Sequence, residues 1–362
     1  MLPVQTKLRC TKVNPTQVTR IVAMTSEDLR HHGDKDTAPG MVDFAVNVWL
    51  TAPPRWLRDR LAAALERLAA YPSDADDLAA REAVARRHGR AADEVLVLNG
   101  SAEGFALLPN LRPRLAAVVH PSFTEPEAAL RTAGVPVHRV MLDGDYLLRP
   151  ELVPDEADLV VIGNPTNPTS VTHPAALIRQ LARPGRLVAV DEAFMDAIPG
   201  EPESLAGDPD VLVFRSLTKT WALAGLRAGY VLGSTETLAR LAVDRPQWPV
   251  GTLVLEAVTA CCSPAAVAEA EASAREIIGY REAFVTALRA AGIEVVAEPT
   301  APFVLVRVRQ GAQVREVLRD KKIAVRRGET FPGLSADHLR LAVRPPAQTS
   351  RLLQAWPPEV HA

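Results

Sequence analysis

Asn164-Pro165-Thr166-Asn167-Pro168-Thr169, Asp191-Glu192-Ala193-Phe194 and Arg215-Ser216-Leu217-Thr218-Lys219 are the stretches on which the reading of this chain turns. Each follows an apolar run of strand length: Leu159-Val160-Val161-Ile162, Leu187-Val188-Ala189-Val190 and Val211-Leu212-Val213-Phe214. An amide, a carboxylate and an amine therefore sit just past the carboxyl ends of buried strands, where open α/β sheets hold their ligands. Taken singly, each residue has a bland explanation: the Asp a helix cap, the Lys a solvated charge. Three such groups in order, each on its own element, call for a shared one.

That set suits pyridoxal phosphate. A lysine amine forms a Schiff base with a carbonyl. A buried carboxylate keeps a pyridinium nitrogen protonated, so that the ring acts as an electron sink. An amide donates to the phenolate oxygen of the same ring. Downstream, Gly225-Leu226-Arg227 brings a guanidinium suited to bidentate pairing with a phosphate. Ser216 and Thr218 offer it hydroxyls.

The stretch resembles fold-type I pyridoxal-phosphate enzymes of the class I/II aminotransferase group, over about Asp43 to Trp356. The resemblance implies Asn167 at the ring oxygen, Asp191 at the ring nitrogen, Lys219 as the Schiff-base lysine and Arg227 at the phosphate. Alternation of strands with helices predicts an α/β large domain, with a mostly parallel mixed sheet flanked by helices, plus a smaller α+β domain. We divide the chain into an N-terminal arm (1–45), a large cofactor-binding domain (46–248) and a small C-terminal domain (249–362).

Composition narrows the rest. The 362 residues are 48% apolar and 23% charged with a net charge of -2, so no basic field favours nucleic acid or an anionic membrane. Cys10, Cys261 and Cys262 make no disulfide framework or metal cluster, which fits a reduced cytoplasmic setting without a metal. No apolar run approaches bilayer length, and Lys7, Arg9 and Lys12 are not followed by a secretory apolar stretch.

Working outward, Glu27 to His31 reads as a short helix. His31-His32 has two readings: a solvated turn, favoured on the sequence, or, as the resemblance implies of N-terminal arms, a pair facing the active site. Pro54 to Ala70 reads as a helix with Leu57, Leu61, Leu65 and Leu68 on one face. Tyr71-Pro72 ends it. Two readings of Tyr71 stand: a ring stacked on the helix end, or, as the resemblance implies, a group reaching the cofactor of the other subunit in a homodimer with a composite site. Asn99-Gly100-Ser101-Ala102 follows the strand Val95 to Leu98 and opens a helix, presenting N–H groups to an anion. The resemblance gives Ser101 and Ala102 to the cofactor phosphate and stacks Phe123 on the ring. Leu253 to Gly279, with Pro264 as a candidate break, and Tyr280 to Ala291 read as helices. Phe303 to Val308, Ile323 to Arg327 and Leu339 to Arg344 read as strands of a small antiparallel sheet.

For the substrate, a small amino acid or amino phosphate, the resemblance implies Arg340 as the carboxylate arginine. It also brings Arg344, Arg326 and Asn47 to the same pocket. Several guanidinium groups suit a ligand with two anions. Asp-Glu-Ala-Phe, Phe331-Pro332-Gly333-Leu334 and Arg344 are worded like threonine-phosphate decarboxylases of cobalamin biosynthesis. That implies decarboxylation of L-threonine phosphate. Aminotransfer of the histidinol-phosphate type is the alternative, and a non-catalytic regulator on the same fold is disfavoured by the intact Lys219, Asp191 and Arg227.

Overall fold

The computed structural model describes residues 29–357. Its strands are β1 (Val42–Phe44), β2 (Val95–Leu98), β3 (Ala116–His120), β4 (Val137–Met141), β5 (Leu159–Gly163), β6 (Leu187–Asp191), β7 (Val211–Ser216), β8 (Gly229–Leu232), β9 (Glu294–Val295), β10 (Phe303–Arg307), β11 (Ile323–Arg327) and β12 (His338–Ala342). The helices are α1 (Arg55–Ala64), α2 (Asp74–His88), α3 (Ser101–Leu107), α4 (Glu125–Thr132), α5 (Ala175–Arg179), α6 (Leu217–Thr220), α7 (Thr235–Leu241), α8 (Thr252–Cys261), α9 (Pro264–Ala290), α10 (Gly311–Asp320) and α11 (Pro346–Ala355).

A seven-stranded sheet runs β2-β8-β7-β6-β5-β3-β4. Only β8 is reversed: it pairs antiparallel with β2 and β7, whereas the other neighbours are parallel. Fully buried Val, Leu and Ala fill β3, β5 and β7, as expected for parallel strands covered on both faces. One core lies under α2, α5 and α8, the other under α3, α4 and α7. Helix α2 starts at a capping box between Ser73 and Asp76 and stops at Gly89, whose φ of 65° suits a left-handed cap.

The second sheet, β1-β11-β12-β10-β9, has its own core around Phe44, Phe284, Val304 and Leu341. It is mixed rather than antiparallel, because β1 joins β11 in parallel register. The break at Pro264 is real, but α9 then continues without interruption through Gly279 and Tyr280. It joins the two bodies: Ala266 and Ala270 pack in the large core, Phe284 and Leu288 in the small one.

The leucine stripe departs from expectation. Leu57 is buried, but the helix tightens after Ala64, and Leu65 and Leu68 are half exposed at 52% and 51%. Residues 27 and 28 of the expected Glu27–His31 helix lie outside the described residues.

Candidate active site

A cavity of about 540 Å³ opens at the carboxyl ends of the parallel strands, against β11 and β12 of the second sheet. Asp191 ends β6, and Lys219 lies on α6 directly after β7. Asn167 stands in the loop after β5, and Ser101 opens α3 after β2. All four line this one cavity. It also receives Asn47, Ala102, Phe123, Ser216, Thr218, Arg227, Arg326 and Arg340.

Two groups there carry displaced ionisation. Burial pushes the Asp191 carboxyl up to about 6, against the opposing pull of the Ala193 N–H and Lys219. Burial pushes the Lys219 amine down to about 8, helped by Arg340 and Arg227. Among the described residues the Asp191 carboxylate has one hydrogen bond, from the Ala193 N–H at 3.1 Å, and no ion pair. A buried carboxylate so placed lacks the cation it needs. A protonated ring nitrogen would supply one.

The other end of the cavity is cationic. Gly100 caps α3 at φ +76°, and a Cβ there would meet Arg227 Nη2 at 3.2 Å, so the guanidinium lies directly over the turn. Arg227 itself adopts φ 64°. Beside it Thr218 Oγ1 is buried without a hydrogen-bond partner. A phosphate fits this cradle of N–H groups, hydroxyl and guanidinium. The residues present therefore fit pyridoxal phosphate at both ends.

Arg340 donates through Nη1 to Asn167 Oδ1 at 2.8 Å and through Nη2 to the Ala45 carbonyl, leaving Nε unpartnered. Holding Oδ1 in this way turns the Asn167 NH2 group away from Arg340. Both polar atoms of the Asn47 amide are buried and unpartnered. Phe194 meets Phe303 edge-on at 4.8 Å, with Lys219 Nζ 5.9 Å from its ring.

Two expected site residues stand elsewhere. Arg344 does not line the cavity. It donates to the carbonyls of Asp43 (2.7 Å), Val46 (2.6 Å) and Val48 (3.1 Å), so its guanidinium clamps the loop that carries Asn47. Tyr71 is 74% exposed, stacked on Trp248 at 4.2 Å, and does not line the cavity of its own chain. Arg326 does line it, but donates to Asp36 and the His31 carbonyl while lying over Phe331 at 4.7 Å.

Other residues do more than the favoured reading of the sequence gives them. His31-His32 is not a solvated turn: His31 joins Asp36 and Arg327, and His32 pairs with Glu125 at the cavity wall beside Asp34. The adjacent histidines were the visible signal; nothing local connects them to Glu125, far along the chain. Arg215 was read only as part of a motif. It is buried and pairs with Glu192, Asp196 and Glu201, while Arg87 shares Asp196 and Glu201. Thr220 Oγ1 donates to Asp196 at 3.2 Å, so this network braces the segment bearing Lys219.

Comparison with known proteins gives the family. Residues 39–355 match the family model "Aminotransferase class I and II". A histidinol-phosphate aminotransferase of Mycobacterium tuberculosis is 58% identical over 318 residues, 87% of each chain. A threonine-phosphate decarboxylase of Salmonella typhimurium is 31% identical over 332 residues, covering 87% of this chain and 90% of that one. Among solved structures, a histidinol-phosphate aminotransferase from Clostridium acetobutylicum superposes with a TM-score of 0.80 at 23% identity, over 87% of this chain and 98% of that one. The chain belongs to the class I and II aminotransferase family, and its cofactor is pyridoxal phosphate. The decarboxylase expectation is overturned: the relatives at 58% identity are aminotransferases, and the decarboxylase stands far behind at 31%.

Proposed function

We propose that this member of the class I and II aminotransferase family transfers the amino group of histidinol phosphate, or a close amino phosphate, to a 2-oxo acid. The observation that carries the reading is the 58% identity to aminotransferases of that name. The cavity is consistent with it, pairing a lysine shifted toward its neutral form with a guanidinium able to receive an anion.

Bound pyridoxal phosphate supplies an electron-withdrawing ring that tolerates negative charge on the carbon bearing the amine. The chain does the rest. Asp191 holds the proton on the ring nitrogen, and the Asn167 NH2 group donates to the ring oxygen. Arg227, Thr218, Ser216 and the N–H groups of Ser101 and Ala102 hold the phosphate, and Phe123 packs on the ring. Lys219 Nζ takes the proton from the amine-bearing carbon of the substrate. Its depressed pKa leaves a share of the amine neutral near pH 7 and ready for that step. Arg340 receives the phosphate of the amine donor or the carboxylate of the oxo acid, and Arg326 and Asn47 complete that wall.

We read the protein as a homodimer whose large domain keeps α8 in its core, with α9 leading into a small domain that includes β1 and an arm before β1. Leu65, Leu68, Tyr71 and Trp248, all at least half exposed, form the apolar edge that a second copy would cover. Among the described residues no single helix is long and apolar enough to cross a membrane.

The test is half-reaction spectroscopy and product analysis with purified holoenzyme. Conversion of the cofactor to its pyridoxamine form by histidinol phosphate, with an oxo product, supports the reading. No conversion, with the cofactor bound, overturns it. Sedimentation of wild type against Trp248→Ser checks the dimer; an unchanged assembly would remove the apolar edge from the interface.

A further inference from the structure

One wall of the cavity is built by a strap, residues 29–36, that the chemistry above does not use. It is fixed at both ends. Thr124 Oγ1 donates to the Leu29 carbonyl at 2.5 Å, and Arg326 Nη1 donates to Asp36 Oδ2 at 3.3 Å. Between these, Gly33 lies so close to Ala45 that an added Cβ would stand 3.0 Å from the Ala45 carbonyl carbon and nearer still to its oxygen. The strap is thus seated on the loop that carries Asn47.

From it His32 reaches across to Glu125, the first residue of α4, pairing Nε2 with Oε1. The His32 ring also leans on Phe123, with centroids 5.3 Å apart. Both His32 and Glu125 line the cavity. The hydrogen bond from His32 holds the Glu125 carboxyl below the usual range, so it is ionised at neutral pH. Only Oε1 is engaged; among the described residues Oε2 has no hydrogen-bond donor, and the side chain is 28% exposed.

Asp191 faces the cofactor and Asp34 lies on the strap; Glu125 is a further carboxylate in a cavity whose cations suit anions. Lys219, Arg227, Arg326 and Arg340 attract phosphate and carboxylate, whereas Glu125 repels them. What an ionised, acceptor-only group recognises is an N–H donor. We propose that Glu125, positioned by His32, is the specificity element for the end of the amine substrate remote from its anion, and that this end is an azole ring donating its N–H to the carboxylate. The proposal rests on the aminotransferase reading and adds to it the residue that reads the ring. Wild-type recognition of the ring then comes from one acceptor, and an amino donor without a ring has nothing to offer it.

The test compares wild type, Glu125→Ala, Glu125→Gln and His32→Asn holoenzymes in single half-reactions with histidinol phosphate and with L-glutamate. The readout is the ratio of kcat/KM for the two donors. Loss of a hydrogen bond to a charged acceptor lowers that ratio by about 10- to 100-fold in Glu125→Ala. Glu125→Gln keeps an acceptor oxygen without the charge and recovers part of it, leaving a loss of about 3- to 10-fold. His32→Asn lowers the ratio mainly through KM, since His32 acts through Glu125. A ratio within about twofold of wild type in Glu125→Ala overturns the proposal while leaving the aminotransferase reading intact. Should the Ala variant lose cofactor or fold, the same criterion applies to the isosteric Gln variant. Wild-type enzyme that accepts glutamate but not histidinol phosphate overturns the functional reading, and the ring recognition with it.

Discussion

Gly33→Ala should damage the substrate side of the cavity without touching the cofactor side. The backbone at Gly33 is not left-handed, so alanine meets no conformational strain there; the problem is space. Non-bonded carbons rest about 3.5–4.0 Å apart, so a Cβ at 3.0 Å from the Ala45 carbonyl carbon demands a shift of about 0.5–1 Å. Ala45 is poorly able to give way. Its carbonyl accepts from Arg340, its N–H donates to Asp43 Oδ1 at 2.7 Å, and Arg344 clamps the carbonyls on either side. The strap must therefore move, carrying His32 away from Glu125 and loosening Arg340. Overpacking of this kind costs about 1–3 kcal/mol. Misplacing substrate-holding groups by about 1 Å can cost on the order of 100-fold in rate. We expect a lower urea midpoint and a drop in kcat/KM for both donors, with cofactor stoichiometry retained. Gly279→Ala is the control: it lies inside α9 with nothing within 4 Å of its Cβ, and should stabilise by about 0.5–1 kcal/mol. A Gly33→Ala enzyme as stable and as active as wild type would refute the claim that the strap is a built wall.

Arg344→Met removes donors from the Asp43, Val46 and Val48 carbonyls and should destabilise the fold by about 2–4 kcal/mol in urea, raising KM for every substrate alike. Unchanged stability with a rise confined to anionic substrates would return Arg344 to the binding site. In apoprotein Asp191 is a carboxyl with a raised folded pKa, so its contribution is fully present below about 3.8 and is lost as pH rises through about 6. Thermal midpoints of apoprotein should accordingly fall between pH 4 and 7 relative to Asp191→Asn; parallel profiles would contradict this. Arg215→Met leaves Glu192, Asp196 and Glu201 short of a cation and should cost about 3–5 kcal/mol by denaturant melt. A neutral outcome would mean that Arg87 suffices.

The cofactor end of the site was legible because parallel strands buried on both faces read as unbroken apolar runs. Their ends are sharp: Val190 to Asp191 passes from core to chemistry in one residue, and Phe214 to Ser216 in two. The substrate end was not, because it is made by contacts with no local period. Three residues of β1 pair with β11, some 280 positions away. His32 finds Glu125 across 93. Likewise the leucines after Ala64 keep helical spacing, but the turn there tightens and rotates Leu65 and Leu68 out of the core.

The residues that suggested the wrong reaction explain why it was suggested. Arg344 braces a loop, Phe331 supports Arg326, and Phe194 packs on Phe303. All three do scaffold work that is indifferent to which bond of the substrate breaks. On the proposed reading Lys219 acts at the reacting carbon, Asp191 at the ring nitrogen and Asn167 at the ring oxygen, and all three serve loss of hydrogen or of carbon dioxide equally well. The choice falls to whichever bond is held perpendicular to the ring, and so to the groups that orient the substrate. An amine donor with no carboxylate on its amine-bearing carbon removes even that choice, because the proton is then the only group Lys219 can take. On the proposed reading, the reaction class follows from the substrate, and the substrate from Arg340 at one end of the cavity and Glu125 at the other.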